Sequence, residues 1–150
     1  MDAKIVSDYL VVGAGAMGMA FTDVLMTETD ATVTIVDRRS HPGGHWNDSY
    51  PFVRLHQPSS FYGVNSRDLG NDTKDLVGGN AGLYELAAGT EVVTYFDQVM
   101  NQQFLPTGRV RYMPISEYLG GGLIRDLVAG TEVAVDARKT VDATYMNVTV

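Results

Sequence analysis

A glycine-rich turn between an apolar run and an amphipathic segment constrains the fold of this chain more than any other feature. Residues Asp8 to Gly18 read DYLVVGAGAMG, in which Tyr9 to Val12 is a short apolar run typical of a strand buried on both faces. Gly13 permits a tight turn, Gly15 permits close approach of the backbone to a phosphate group, and Gly18 permits close packing of a helix. The sequence therefore predicts a strand, a turn and a helix whose N-terminus attracts an anion.

The residues that follow complete a dinucleotide-binding pattern. A helix is predicted from Ala16 to Met26, and a strand is predicted from Ala31 to Val36, directly before Asp37. A carboxylate at this position can accept hydrogen bonds from ribose hydroxyls, so we interpret the pattern as a dinucleotide-binding site. In the alternative reading, Gly18 serves only packing and Asp37 is a solvated turn residue. The residues predicted to share the apolar face of the helix are Met17, Ala20, Phe21, Val24 and Leu25.

Length and composition narrow the class of protein further. A chain of 150 residues, with 45% hydrophobic and 19% charged residues, fits one soluble globular domain. A formal charge of -7 with only 11 Lys and Arg disfavours nucleic acid as a partner. The absence of cysteine excludes disulfides and thiolate metal sites. No signal-peptide pattern and no membrane-length apolar run is visible, so we expect a cytoplasmic protein without a membrane partner.

A long irregular segment follows the second strand, from Arg38 to Gly82. It is rich in Gly, Pro, Ser and Asn, but its aromatic residues supply apolar surface to bury, which favours an ordered excursion over a disordered one. These aromatic residues are Trp46, Tyr50, Phe52, Phe61 and Tyr62. The more polar half, residues 68–80, is predicted to be a mobile surface loop.

The second half of the chain predicts a crossover followed by a small antiparallel meander. A helix is expected from Glu91 to about Gln103, capped by Thr90, and a third parallel strand is expected from Arg109 to Met113. Three short β-prone runs then suggest the meander: Leu123 to Val128, Glu132 to Ala137, and Thr140 to Thr144. The predicted fold class is therefore α/β, with a parallel sheet and a small antiparallel β-meander.

Three segments together resemble the FAD-binding N-terminal part of the FAD and NAD(P)-dependent oxidoreductases, in the branch of flavin-containing and Baeyer-Villiger monooxygenases. They are GAGAMG with Asp37, GGHW from Gly43 to Trp46, and VDAT from Val141 to Thr144. Aspartate replaces the glutamate found in most relatives, and Tyr145 stands where glycine is usual. The resemblance implies a Rossmann-like FAD-binding domain, with FAD as cofactor, NAD(P)H as reductant of the complete enzyme and a small molecule as substrate.

The resemblance also implies where the cofactor lies. The pyrophosphate is expected at the glycine turn, the ribose at Asp37, the adenosine beside Arg38, and the flavin near the GGHW segment. The candidate cofactor-binding residues are Gly13, Gly15, Ala16, Met17, Gly18, Asp37, Arg38, Gly43, Gly44, His45 and Trp46. Simpler interpretations are that Gly43 and Gly44 form a turn, that Trp46 is a core residue, and that Arg38 is solvated. No catalytic residue is identified.

The three histidines do not predict a metal site. His41, His45 and His56 lie on an irregular segment without cysteine and without metal-ligand spacing, so no metal is expected. His56, together with Arg54 and Gln57, is instead a possible contact for cofactor or substrate.

Proteins of the resembled family are usually much longer than this chain. They carry a second glycine-rich dinucleotide fold and a later glycine-aspartate element, and neither pattern occurs here. We therefore expect residues 1–150 to form an incomplete N-terminal portion of a longer flavoprotein. The leading hypothesis is an FAD-binding segment of a flavin-dependent, NAD(P)H-linked oxidoreductase, such as a monooxygenase. The alternative is a non-catalytic dinucleotide-binding module or inactive fragment; a short NAD-dependent dehydrogenase fits less well, since no tyrosine-lysine pair is recognisable. Oligomeric state is left open.

Overall fold

The computed structural model describes residues 4–145, which form an α/β domain around one six-stranded sheet. The predicted domain, 1–150, thus includes two short ends outside the described residues. The strands are β1 (Ile5–Val12), β2 (Val33–Val36), β3 (Gly63–Val64), β4 (Arg67–Asp68), β5 (Val110–Met113), β6 (Ser116–Gly120), β7 (Leu123–Asp126) and β8 (Glu132–Asp142). The α-helices are α1 (Ala16–Glu28) and α2 (Gly89–Val99).

Strand order in the main sheet is β5-β2-β1-β8-β7-β6. The first four strands are parallel, whereas β8, β7 and β6 pair antiparallel. This arrangement confirms the predicted α/β class, with its parallel sheet and antiparallel meander. The meander continues the parallel sheet across β8, and β3 and β4 form a separate two-stranded sheet.

The first two strands occupy the centre of the parallel part, as their composition requires. All four residues of β2 are buried, which explains its unbroken apolar and β-branched sequence. Its register pairs Val33 with Tyr9 and Val36 with Val12. Strand β1 is longer than predicted, because it begins at Ile5 and pairs with β8 from that residue.

Helix α1 confirms the predicted element, but its predicted apolar face is only partly correct. Leu25 is buried and Phe21 packs against the main core, whereas Met17 and Val24 are 74% and 38% exposed. The other buried residues of the helix are Gly18, Met19, Thr22 and Asp23. The reason is the position of Gly18, where a Cβ atom would overlap the carbonyl oxygen of Gly13. This close approach fixes the rotation of the helix about its axis. Hydrophobicity alone does not determine which side faces the sheet.

Helix α2 forms the predicted crossover between β2 and β5 with different ends. It begins at Gly89 after an N-cap at Ala88, so the prediction of Thr90 as the cap is wrong. Glu91 fulfils its expected first-turn role, because its Oε2 accepts a 2.7 Å hydrogen bond from the Ala88 amide. Beyond Val99 the chain forms a π-helical turn, Met100–Phe104, whereas the sequence predicted that the α-helix continues to about Gln103.

The meander differs from its prediction in its strands. The runs Glu132 to Ala137 and Thr140 to Thr144 are not two strands, because the first run and the start of the second lie on the single strand β8, which ends at Asp142. The first meander strand is β6, which the sequence did not reveal. Ile124 of β7 packs with Leu10 and Val36 in a second buried cluster. Side chains of the meander therefore pack on one face of the parallel sheet, and the helices pack on the other face.

The excursion after β2 is ordered, but only part of its aromatic surface is buried. Trp46 and Tyr62 pack against the main core, as expected. Tyr50, Phe52 and Phe61 are 70%, 80% and 78% exposed, so only two of the five aromatic residues supply the buried apolar surface on which the prediction of order was based. Residues 68–80 are mostly exposed, as predicted, and their mobility stays a prediction. No helix within residues 4–145 is long and apolar enough to cross a membrane.

We expect a buried carboxylate on α1 to hold the β3-β4 hairpin in place. Asp23 is 1% exposed, and it accepts a 3.0 Å hydrogen bond from the Ser66 amide and a second bond from the Ser66 hydroxyl. Asp23→Ala leaves these donors without their partner, so it should lower the free energy of unfolding by about 1–3 kcal/mol in urea denaturation. Asp30→Ala, at an exposed residue after the same helix, is the control. An unchanged midpoint for Asp23→Ala would contradict this role.

Candidate functional site

The order of the strands places a crevice at the carboxyl ends of β1 and β8. The chain proceeds outward from β1 to β2 and β5, and then returns to β8 on the other side of β1. At such a reversal, the loops that follow the two central strands, β1 and β8, run in opposite directions. Ligands of open α/β sheets bind between these loops. The Ala143 amide donates a 2.9 Å hydrogen bond to the Val12 carbonyl, which brings VDAT against the glycine turn. A Cβ atom on Gly13, whose φ is +106°, would lie 2.8 Å from the Ala143 carbonyl oxygen.

The glycine turn leads directly into the first turn of α1. The first helical hydrogen bond runs from the Met19 amide to the Gly15 carbonyl over 2.9 Å. The amides of Ala16, Met17 and Gly18 precede it and have no acceptor within the helix. The first turn carries no acidic side chain, so no internal carboxylate competes for the positive end of the helix dipole. This arrangement attracts an anionic group to the turn.

The GGHW segment lies against the glycine turn. The Gly43 amide donates a 2.8 Å hydrogen bond to the Ala14 carbonyl, and a Cβ atom on Gly44 would lie 2.9 Å from the Gly15 Cα. Gly43 and Gly44 have φ angles of +113° and +57°, so both adopt left-handed backbone conformations that favour glycine. Backbone therefore meets backbone at this point. The structure thus places Gly43 and Gly44 in one cluster with the residues of the glycine turn.

Trp46 and His45 extend this cluster in different directions. Trp46 is partly buried, and its Nε1 donates a 2.7 Å hydrogen bond to the Tyr62 hydroxyl. Its indole also packs edge-on against the Tyr62 ring, with 5.9 Å between centroids, so the interpretation of Trp46 as a core residue describes its packing. His45 is exposed and stacks on Trp46, and its ring centroid lies 6.3 Å from that of Tyr145. GGHW and the residue after VDAT therefore meet at the surface.

Asp37 is a buried residue that joins two loops. Its side chain accepts hydrogen bonds of 2.7 Å from the Ala14 amide at Oδ2 and from the Arg39 amide at Oδ1. The residue is only 8% exposed, which contradicts the reading of a solvated turn residue. A carboxylate has about four acceptor positions, so two remain for a further donor. Asp37 thus both shapes the glycine turn and keeps capacity for a ribose hydroxyl.

The two arginines after Asp37 point toward acidic partners. The Arg38 side chain is 73% exposed, and its Nη1 lies 3.7 Å from Glu117 Oε1 of β6. Arg39 Nε and Nη2 bind Asp48 Oδ2 at 3.0 and 2.5 Å. Arg38 therefore follows Asp37 at the carboxyl end of β2, and the described partner of its guanidinium is on β6 and not in the glycine turn.

Tyr112 lies near the carboxyl end of β5, next to β2, and it was not among the residues identified from the sequence. It pairs with Ile35 in the register of β5 and β2, and its buried hydroxyl has no hydrogen-bond partner within the described residues. Burial raises the pKa of Tyr112 well above its usual range, and the charges of Asp37 and Asp97 raise it further. Most buried polar groups in proteins are hydrogen-bonded, so a buried hydroxyl without a partner is unusual. Its position near the carboxyl end of the strand beside β2 could have identified it from the predicted sheet order.

Other candidates remain outside the cluster. Arg54 Nη1 donates a 2.9 Å hydrogen bond to the Leu86 carbonyl, and His56 is exposed. Within residues 4–145, no group of three or more His, Asp or Glu residues is arranged to hold a metal ion. Two open grooves of about 410 and 440 Å³ also lie elsewhere. One is beside the C-terminal end of α1, and the other lies between the β3-β4 hairpin and α2.

The fold and the glycine turn are those of a Rossmann-like domain. Residues 11–61 match the family described as the NAD(P)-binding Rossmann-like domain. Among solved structures, the chain is similar to a flavin-containing monooxygenase from Stenotrophomonas maltophilia, with a TM-score of 0.64 and 18% identity. It is also similar to a steroid monooxygenase bound to NADP, with a TM-score of 0.63 and 24% identity. The predicted resemblance to the N-terminal part of flavin monooxygenases is thus confirmed at the level of the fold.

The chain matches only part of each of these proteins. Both structural alignments include 93% of this chain. They include only 38% of the flavin-containing monooxygenase and 26% of the steroid monooxygenase. Uncharacterised proteins of Mycobacterium tuberculosis and Mycobacterium bovis are 63% identical over 147 residues. These 147 residues are 97% of this chain and 27% of each relative. The chain therefore spans about a quarter of the length of these curated relatives.

Gly18 should be important for stability, because a Cβ atom there would overlap the Gly13 carbonyl oxygen. Gly18→Ala is expected to lower the free energy of unfolding by about 1–3 kcal/mol, measured by urea denaturation. Gly79→Ala is the matched control, since a Cβ atom at Gly79 meets nothing within 4 Å. Equal stability of the two variants would refute the close packing at Gly18.

Proposed function

We propose that this chain binds FAD at the carboxyl ends of β1 and β8 and forms the flavin-binding segment of an NAD(P)H-linked, monooxygenase-like oxidoreductase. One observation carries the proposal: three segments distant in sequence meet at this crevice. They are the glycine turn, GGHW and VDAT, which are joined by the Gly43-Ala14 and Ala143-Val12 hydrogen bonds. The glycine turn was identified from its spacing, and GGHW and VDAT were identified from the family resemblance.

The residues present fit a dinucleotide. The pyrophosphate would bind the amides of Ala16, Met17 and Gly18, next to Gly13 and Gly15. Where the glycine turn meets GGHW, the walls are bare backbone, because Gly15 and Gly44 lack side chains. Such surfaces permit the close approach that a phosphate group requires.

The two ends of the cofactor would lie on either side of this turn. Asp37 would accept hydrogen bonds from the adenosine ribose with its remaining acceptor positions, and Arg38 would lie beside the adenosine. Gly43, Gly44, His45 and Trp46 would lie near the flavin. Trp46 is held by its hydrogen bond to Tyr62, so its indole offers a fixed apolar surface there.

When bound, the flavin supplies the redox chemistry, and the chain supplies binding and orientation. The anion-attracting turn and the buried carboxylate position the dinucleotide without any catalytic side chain of their own. We propose that the small-molecule substrate and the reductant NAD(P)H contact parts of a longer polypeptide, of which residues 1–150 are the N-terminal portion. The fact that the chain spans 27% of its 63% identical relatives supports this view.

FAD uptake tests the site directly. Purified chain incubated with FAD and desalted should retain flavin absorption bands. Gly15 has an extended backbone, with φ of −77° and ψ of −174°, so Val at this position is compatible with the fold. Its Cβ atom would lie in ordinary contact with the Gly44 Cα, 3.5 Å away, and its two methyl groups would cover backbone that the pyrophosphate is proposed to approach. Gly15→Val should therefore weaken FAD binding by about tenfold or more, which is roughly 1.4 kcal/mol.

Gly79→Ala should bind FAD like the unaltered chain, because it adds a methyl group in open space. Circular dichroism would verify that all three proteins are folded. A colourless chain that binds no FAD in titration, or undiminished FAD affinity in Gly15→Val, would refute the proposed site.

A second candidate function is a dinucleotide-binding module that performs no turnover. The chain spans only 27% of its curated relatives and 38% of the flavin-containing monooxygenase, which favours the non-catalytic module. The reason is that reductant and substrate sites commonly lie where two domains meet. The chain loaded with FAD should then oxidise neither NADH nor NADPH above the rate of free FAD, as followed at 340 nm. Oxidation that exceeds free FAD and disappears in Gly15→Val would exclude the non-catalytic module.

A further inference from the structure

Residues 73–85 of the excursion form a hairpin that is braced by its own hydrogen bonds. The Asp75 amide donates a 3.0 Å hydrogen bond to the Leu83 carbonyl across the two arms. Asn80 Nδ2 binds Asp75 Oδ2 at 2.8 Å and the Tyr84 carbonyl at 2.9 Å. The turn of the hairpin is therefore held in shape from within, before any partner is bound.

The tip of this hairpin, residues 76–83, is aliphatic and exposed. Leu76, Val77 and Leu83 are 91%, 82% and 62% exposed, and no residue of the tip is charged. A Cβ atom on any of the three glycines of the tip would meet nothing within 4 Å, so the described residues leave these positions open. Large apolar side chains gathered at one exposed point mark an interaction surface.

Amphipathic and polar groups follow directly beneath the tip. Lys74 and Tyr84 form an antiparallel bridge, and Lys74 Nζ lies 5.3 Å from the centroid of the Tyr84 ring. At the base, the Glu85 carbonyl accepts hydrogen bonds of 3.0 and 2.9 Å from the amide and the hydroxyl of Ser59. The order along the hairpin is thus aliphatic, then aromatic and cationic, then polar. A bilayer surface has the same order of acyl chains, headgroup boundary and water.

We propose that the 73–85 hairpin is a peripheral membrane contact, whose tip enters the headgroup region of a zwitterionic lipid surface. Leu76, Val77 and Leu83 leave water, while Lys74 and Tyr84 stay at the level of the headgroups. The formal charge of −7 repels an anionic surface, so the attraction comes from the apolar tip. This contact lies beyond the proposed function and does not require FAD.

No membrane partner was expected from the sequence, because no apolar run of membrane length occurs in it. A contact of this kind needs no such run, since it enters the surface of one leaflet without spanning the bilayer. Its apolar side chains come from two short stretches, which only the turn of the hairpin brings together.

The β7–β8 turn supplies an internal comparison. The tripeptide Asp-Leu-Val occurs at residues 75–77 of the hairpin and again at residues 126–128, where β7 turns toward β8. The strands beneath this second turn carry the Arg125–Glu132 ion pair in place of a lysine and a tyrosine. The Leu127 amide is also bonded to a carbonyl of the preceding loop, so this turn lies closer to the fold. The same tripeptide should not bind lipid there.

Sedimentation with sucrose-loaded phosphatidylcholine vesicles tests the hairpin. The purified chain should bind with an association constant on the order of 10³ M⁻¹, weaker than a single myristoyl chain, because the tip buries fewer apolar groups. Leu76→Ser/Val77→Ser should lower this constant at least about tenfold. The matched control, Leu127→Ser/Val128→Ser, should bind like the unaltered chain. Circular dichroism would verify that both variants are folded.

A fluorescent probe locates the contact. The chain has no cysteine, so Val77→Cys and Val128→Cys each allow an environment-sensitive dye to be attached at one site. The two valines are similarly exposed, at 82% and 79%. On addition of vesicles, the emission of the dye should move to shorter wavelength at position 77 and stay unchanged at position 128.

Three results would overturn the inference. A folded chain that binds no vesicles would leave the tip to the surface of another polypeptide. Binding that occurs only with phosphatidylglycerol vesicles and is lost in salt would show that charge, and not the tip, is responsible. A dye shift at position 77 that grows with protein concentration in the absence of vesicles would assign the tip to a second copy of this chain.

Equal loss of binding in both serine variants, or equal dye shifts at both positions, would also refute the assignment to this hairpin. All of these measurements are made without FAD. Their outcome is therefore separate from that of the FAD uptake experiment, and either idea can fail while the other stands.

Discussion

The contact between Gly18 and the Gly13 carbonyl is the constraint on which the rest of the site depends. Because no side chain can stand between the helix and the turn, α1 approaches the sheet closely and adopts one rotation about its axis. That rotation buries Met19 and Leu25 and exposes Met17. It also directs the first-turn amides toward the crevice at the ends of β1 and β8. One missing methyl group thus sets both the packing and the electrostatics of the site.

Hydrogen bonds between loops then assemble the site around this turn. Ala14 is the central residue, since its amide binds Asp37 and its carbonyl accepts a bond from Gly43. The two segments identified in the sequence as ribose-binding and flavin-binding are therefore attached to the two polar groups of one buried residue. The two loops are thus connected through the backbone of one residue, without any intervening flexible side chain.

The sequence predicted the elements well where local rules govern them and poorly where tertiary packing decides. Spacing of glycines identified β1, α1 and β2, and the alternation of RVRYM identified β5. The face of α1 was only partly predicted, because a close contact with the turn outweighs its hydrophobic pattern at Met17 and Val24. Tyr50, Phe52 and Phe61 are aromatic and yet exposed, so composition could not locate them. The partner of Arg38 is Glu117 of β6, so it depends on the return of the meander to β2, which no local pattern encodes.

The pairing of β1 with β8 has a consequence for how the domain is made. These strands are neighbours at the centre of the sheet, yet they lie near opposite ends of the described chain. Closing so long a loop costs more conformational entropy than any local contact and slows folding. During synthesis, the glycine turn and α1 emerge before β8, so the wall supplied by Ala143 can be added only after all the intervening residues have left the ribosome. Within the described residues, the site is therefore among the last parts to be completed.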